Sequence, residues 1–200
     1  GALLAGMGLS VAGLLLQTTT GNDLCSPNVI GVNAGAGLAV MIFLCLFPMA
    51  HKLLPMAAFV GAFGATLLVL TLSFSLGGRT SKATVVLAGV AVGTLFNAGI
   101  SFLSQLYPEV LSSYSAFSVG GFSGLYLEDL EIPAVVILLG IVLAQCLSPK
   151  LNLLCLGDEM AFSLGVRVKS LRLVSLILAS ALCAATVSFA GLLGFVGLIV

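Results

Sequence analysis

The sequence predicts an all-α protein, a polytopic bundle of transmembrane helices, and three observations carry that prediction. Sixty per cent of its 200 residues are hydrophobic and only 7% are charged, against about 25% charged in soluble globular chains. Mean hydropathy is +1.27, and the apolar runs are far longer than soluble strands. They also lack the two-residue alternation of an outer-membrane barrel. Helices are then the only plausible spanning structure, because hydrocarbon offers open backbone groups no partner. The same composition excludes a disordered chain, which needs low hydrophobicity and high charge. Seven basic residues balanced by seven acidic ones supply no basic face for nucleic acid.

A spanning helix needs about 20 mostly apolar residues. The first candidate, 1–19, opens the chain inside an apolar run, without Met or a basic leader. The second is 30–50, and His51 and Lys52, flanked by Pro48 and Pro55, mark a tight hairpin into the third, 53–76. Spans at 83–105, 132–148 and 171–189 follow, and 190–200 begins a further segment. The chain starts and stops inside apolar runs, so it reads as one transmembrane domain over 1–200, an internal piece of a longer protein missing material at both ends.

The seven Lys/Arg residues set the orientation. Arg79 and Lys82 share one connection, while Lys150, Arg167, Lys169 and Arg172 share another on the same side. Only Lys52 falls opposite. Loops 20–29, 77–82 and 149–172 are therefore expected in the cytoplasm. Loop 106–131, with Glu109, Glu128, Asp129 and Glu131 and no base, is expected outside the cell membrane.

Small and weakly polar residues recur along two spans: Gly6, Ser10, Gly13 and Gln17 in the first, Gly89, Gly93, Asn97 and Ser101 in the fourth. Such a face lets helices approach closely, and it also suits a water-filled pathway; the two readings are compatible. No span carries a mid-membrane Asp, Glu, Lys or Arg, which weakens an ion-coupled secondary transporter, the alternative reading, and points to energy supplied from outside the domain. Cys25, Cys45, Cys146, Cys155 and Cys183 form no Cys-x-x-Cys pair and no metal-ligand spacing, so they read as small hydrophobes and no metal site is expected. Gly121-Phe122-Ser123-Gly124 resembles the G-x-S-G of rhomboid intramembrane proteases. The sole histidine, His51, precedes the serine, whereas rhomboids carry it in a later helix, and a serine without a base in reach is not an activated nucleophile.

Segment 149–172 is too polar to span and too patterned for a slack linker. Gly157 to Gly165 reads as a two-turn helix with Asp158 and Glu159 in the first turn, complementing the helix dipole. Met160 and Leu164 form an apolar pair four residues apart, and Gly165 is placed for a C-terminal cap. A short helix with an exposed apolar edge is either a docking element for a soluble partner or an interfacial helix lying on lipid.

Three blocks carry a resemblance. The stretch from Gly13 through Gln17, Asn22-Asp23-Leu24 and Pro27 to Gly31, Gly35, Ala36 and Gly37 is similar to a G-x-x-x-Q…N-P-L…P-x-x-L-G-x-x-x-G-A signature. Leu87 to Gly93 is the second block. Leu156 to Gly165, followed by Phe189-Ala190-Gly191-Leu192-Leu193-Gly194-Phe195-Val196-Gly197-Leu198-Ile199-Val200, is the third, close to A-G-x-I-G-F-V-G-L-I-x. Together they resemble the BtuC-like permease family of binding-protein-dependent ABC importers for iron-siderophores, haem and cobalamin. Two departures stand out: Asn22-Asp23-Leu24 replaces Asn-Pro-Leu, and Phe117-Ser118-Val119-Gly120-Gly121 lacks the family's tryptophan.

The resemblance implies a permease that catalyses no bond change and works by alternating access. Leu156, Gly157, Asp158, Glu159, Met160, Ala161, Leu164 and Gly165 would form the element that couples it to an ATPase. Asn22, Leu24, Thr80 and Ser81 would form a cytoplasmic gate, and Gln17, Gly89, Gly93, Asn97 and Ser101 the pathway or its packing. Implied partners are a second permease copy or homologue, two ATP-binding subunits, an extracytoplasmic binding protein and membrane lipid. ATP and Mg would sit on the ATPase, with no cofactor on this subunit. A chelated metal or cobalamin is the expected cargo.

Overall fold

The structure, a computed structural model, describes residues 1–23, 25–27, 31–76, 82–122 and 125–193. Among these residues the regular structure is entirely helical. The chain runs through α1 (Ala2–Thr20), α2 (Val32–Leu46), α3 (Leu54–Leu76) and α4 (Lys82–Leu106). It continues through α5 (Leu111–Val119), α6 (Leu127–Cys155), α7 (Asp158–Ser163) and α8 (Val168–Ala190). The five helices α1, α3, α4, α6 and α8 are long and apolar enough to cross a membrane.

Helix α8 is the hub, packed against α1, α3 and α6. Its second half is buried without interruption from Leu182 to Ala190. Small residues allow this: Ala179, Ala184, Ala185, Ser188 and Ala190 let neighbouring backbones close in on several sides. Partner helices contribute glycines at the tightest points. A Cβ on Gly8 of α1 would lie 2.7 Å from the Thr186 hydroxyl, and one on Gly140 of α6 would lie 2.5 Å from a Leu182 methyl.

The closest helix pair is α2 on α3. Gly35 and Gly61 face each other, and a Cβ on Gly61 would stand 2.5 Å from the Gly35 carbonyl and collide with the Ala39 methyl. The reciprocal Cβ on Gly35 would collide with Ala65. Gly35-x-x-x-Ala39 meets Gly61-x-x-x-Ala65, so two small-xxx-small pairs form one seam. The stripe expected on α1 plays a lesser part. Gly6 has open space around it and Ser10 and Gln17 are half-buried; the buried side is Ala5, Gly8, Leu9, Ala12 and Leu16, joined only by Gly13 from the stripe.

Two span boundaries differ from expectation. The second expected span, 30–50, is the 15-residue helix Val32–Leu46, about 22 Å long at 1.5 Å per residue and short of the ~30 Å of hydrocarbon. Gly31, which precedes it with φ 77°, would place a Cβ 3.4 Å from the Gly89 carbonyl and 3.7 Å from the Gly93 nitrogen. Those residues lie seven and eleven positions into α4, so Gly31 sits beside α4 about two to three turns from its start.

The expected span 132–148 is the middle of α6, a 29-residue helix that enters both neighbouring loops. At its start, the Asp129 carboxylate accepts the Tyr126 N–H at 3.2 Å while the Asp129 N–H donates to the Tyr126 carbonyl at 3.1 Å. At its end, Pro149 does not stop it, because Leu151 and Leu154 continue the buried face of a helix that packs on α7 and α8. Loop 149–172 is therefore helix to Cys155, and loop 106–131 contains α5. The further segment begun at 190 is described only to Leu193.

Gly61→Val is expected to lower thermal stability in detergent by ~1–3 kcal/mol, the usual cost of overpacking a well-filled contact. Gly64→Ala, on the same helix but with nothing within 4 Å of the added Cβ, is expected to leave the melting midpoint unchanged or slightly raised.

Candidate functional site

The site begins with a helix too short to be stable alone. Helix α7 has six residues and packs as a cap on the α6–α8 corner. Gly157 enters it at φ 108°, ψ 156°, and its carbonyl accepts the Ala161 N–H at 3.0 Å. At the far end Gly165, at φ 83°, takes the left-handed position. The Gly165 N–H donates to Phe162 and the Val166 N–H to Ala161, both at 3.0 Å. That pair of bonds is a Schellman cap, as the sequence position of Gly165 predicts.

One side of α7 roots it and the other faces out. Ala161 is fully buried, and α7 packs on α6 and α8. Met160 is 59% exposed, Leu164 57%, Leu156 63% and Phe162 75%. Ala161, expected to contact a partner, is therefore an anchor. Phe162, omitted from the expected contact set, has the highest fractional exposure of these apolar side chains and, two residues from Met160 and Leu164, lies on a different side of α7.

Asp158 does more than complement a helix dipole. Nη2 of Arg172, on the first turns of α8, donates to both its carboxylate oxygens at 3.0 and 3.1 Å. The same guanidinium donates through Nε to the Thr19 carbonyl at 3.0 Å. Arg172 is 9% exposed in this pair and Asp158 46%. Burying a cation costs several kcal/mol unless it is paired and hydrogen-bonded, and here one planar fork meets both needs. The sequence signal was present but unread: an arginine opening an apolar helix, fourteen residues after an aspartate.

Thr19 sits in the last turn of α1, whose terminal carbonyls lack intrahelical partners. Gly21 closes that helix at φ 59°, ψ 36°. Its N–H and that of Asn22 both bond the Gln17 carbonyl, the latter at 3.2 Å. The Thr19 carbonyl is thereby left for Arg172, a cation at a helix C-terminus. Asn22 follows directly and is exposed at this end of the bundle. Leu24, Thr80 and Ser81, the other expected gate residues, lie outside the described residues, as does Ser123. Cys25 is buried, and burial pushes its thiol pKa up, opposed in part by a hydrogen bond with Thr20.

A second feature lies deeper. A cavity of about 340 Å³ opens between the start of α2, α4, α5 and Leu192. Gly89, Gly93 and Asn97 line it, joined by Asn33, Thr94 and Tyr114. The Asn33 amide donates to the Leu193 carbonyl at 3.2 Å, tying α2 to the end of α8. Two further bonds hold that corner: Gly121 N–H to Ala190 carbonyl at 2.8 Å, and Leu192 N–H to Phe117 carbonyl at 3.3 Å. Ser101 lies beyond the cavity, its hydroxyl bonded to the Asn97 carbonyl at 3.0 Å. Gln17 is on α1 and is not among the lining residues. The structure thus brings three of the five expected pathway residues together and separates the other two.

Five helices long and apolar enough to cross a membrane, with a short anchored helix capping the α6–α8 corner, define a multi-pass membrane protein. Residues 1–200 match the FecCD transport family, and the chain belongs to it. It is 34% identical over 199 residues to the Fe(3+)-citrate import system permease protein YfmE of Bacillus subtilis (strain 168), covering 99% of this chain and 59% of that protein. It is 35% identical over 198 residues to the ferric enterobactin transport system permease protein FepD of Escherichia coli (strain K12), covering 98% and 59%. The cobalamin import system permease protein BtuC of Halobacterium salinarum is 34% identical over 195 residues, covering 98% and 53%. The fold superposes on a metal-chelate type ABC transporter solved in an inward-facing conformation, with TM-score 0.88 and 31% identity over 99% of this chain and 64% of that one. The chain therefore spans somewhat over half the length of these relatives.

Removing one partner of the α7 anchor is expected to destabilise this corner. In differential scanning fluorimetry Asp158→Asn should lower the melting midpoint, and Arg172→Met should act in the same direction. Because Asp158 is half exposed, the Asp158→Asn loss should fall below the ~3–5 kcal/mol typical of a fully buried broken pair.

Proposed function

We propose that this chain is the core of the transmembrane permease subunit of a binding-protein-dependent ABC importer. It moves a bulky iron chelate, haem or cobalamin across the cell membrane by alternating access, and ATP is hydrolysed on separate partner subunits. The observation that carries this reading is α7: the exposed apolar side chains Met160, Phe162 and Leu164, held outside the bundle by a buried root at Ala161. An ion-coupled carrier has no evident use for these exposed groups, whereas a soluble ATPase needs a surface on which to act.

The steps follow from the chain's own parts. A binding protein delivers cargo on the side of α5 and loop 106–131. Cargo passes the cavity bounded by α2, α4 and α5, whose Asn33, Thr94, Asn97 and Tyr114 offer amides and hydroxyls. Such donors suit the periphery of a chelate better than a bare transition-metal ion, which selects imidazole or thiolate. ATP closure displaces Leu156–Gly165, and cargo leaves past Asn22, Leu24 and loop 77–82. This chain and a second permease, a copy or a homologue, flank the pathway, and energy comes from the ATPase binding the two states unequally. Loops 20–29, 77–82 and 149–172 are cytoplasmic, and 106–131 is extracytoplasmic.

Two experiments test this. Phe162→Asp and Met160→Asp change exposed side chains and should leave the fold intact. Each should abolish co-purification of the ATP-binding subunit and cut uptake of radiolabelled ferric chelate by tenfold or more. Retained association would remove α7 as the coupling element, and uptake persisting without the ATPase would favour an ion-coupled carrier. For sidedness, exposed Cys155 is expected to react with an impermeant maleimide only from the cytoplasmic side, and a cysteine at Ser112 only from outside. The opposite labelling would invert the topology.

A further inference from the structure

The Arg172 network joins two elements that the proposed mechanism treats as separate. On one side is α7, which receives the ATPase; on the other is the end of α1, one turn from Asn22 at the gate. We infer that Arg172 is the positioning residue that transmits displacement of α7 to the gate end of α1. The inference rests on the permease reading and adds to it the residue through which the two ends communicate.

The geometry favours transmission over simple attachment. Helix α7 buries one small side chain, Ala161, so apolar packing holds it weakly. Beside it, a groove of about 550 Å³ opens between α6, the Leu164–Arg167 connector and α8, leaving room to shift. A charge-assisted link at 3.0 Å, made by a guanidinium that is itself buried, is the stiff element in that setting. Its two ends sit on one rigid plane: Nη2 holds Asp158 while Nε holds the Thr19 carbonyl. Moving the carboxylate must therefore turn the guanidinium or break one bond, and either event changes the restraint on the last turn of α1. Lysine carries the same charge but lacks the planar fork, so it holds one end at a time.

The test uses the full-length permease with its ATPase and binding protein in proteoliposomes, measuring chelate uptake and ATP hydrolysis together. In Arg172→Lys, the ATPase subunit should still co-purify while uptake per ATP falls by about tenfold, within the usual range of coupling between sites. Asp158→Asn, which alters a half-exposed position without changing side-chain volume, should give the same uncoupling, and Asp158→Glu should restore part of it. An unchanged uptake-to-hydrolysis ratio in Arg172→Lys and Asp158→Asn would overturn the inference. So would parallel loss of association, hydrolysis and uptake, which marks a merely structural tie. Wild-type vesicles that hydrolyse ATP without moving any chelate would instead overturn the permease reading, and this inference with it.

Discussion

A cation shut away from water must find partners, and that requirement organises one end of this molecule. Arg172 is buried at the mouth of α8, so its guanidinium has to be met by fixed acceptors. The acceptors come from two distant parts of the chain, Thr19 at the end of α1 and Asp158 at the start of α7. Satisfying one side chain therefore sets the relative positions of three helices. The α7 edge can point outward because Ala161 and Asp158 together hold its other side down.

The rest of the bundle answers to a different constraint, the absence of a hydrophobic force between helices already in lipid. Close packing has to come from small residues, and it does so at Gly35 and Gly61, at Gly8, and at Gly140. At the start of α2, Gly31 comes within van der Waals reach of Gly89 and Gly93 of α4. Gly89 and Gly93 thus face the start of α2 and line the cavity.

Much of this was legible in the residues. Spans 1–19, 53–76, 83–105 and 171–189 correspond closely to α1, α3, α4 and α8, because a long apolar run in a chain this poor in charge has no other stable form. Helix α7 and its Gly165 cap were also readable, since caps are local chemistry. The ends of α2 and α6 were not. Pro149 signals a stop locally, and only the packing of Leu151 and Leu154 overrides it. The stripe on α1 misled for a related reason: periodicity shows which residues share a face, but not which face has a neighbour.

The sequence by itself determined the solvent, the fold class and the family, because composition and motif order do not depend on how helices are arranged. Tertiary structure alone decided which small residues meet, that Asn33 and Tyr114 join Asn97 around one cavity, and that Arg172 reaches across 153 positions to Thr19. The physical reason is range. Hydropathy and capping act over a few neighbouring residues, whereas close approach and charge burial depend on partners that only the folded chain brings together.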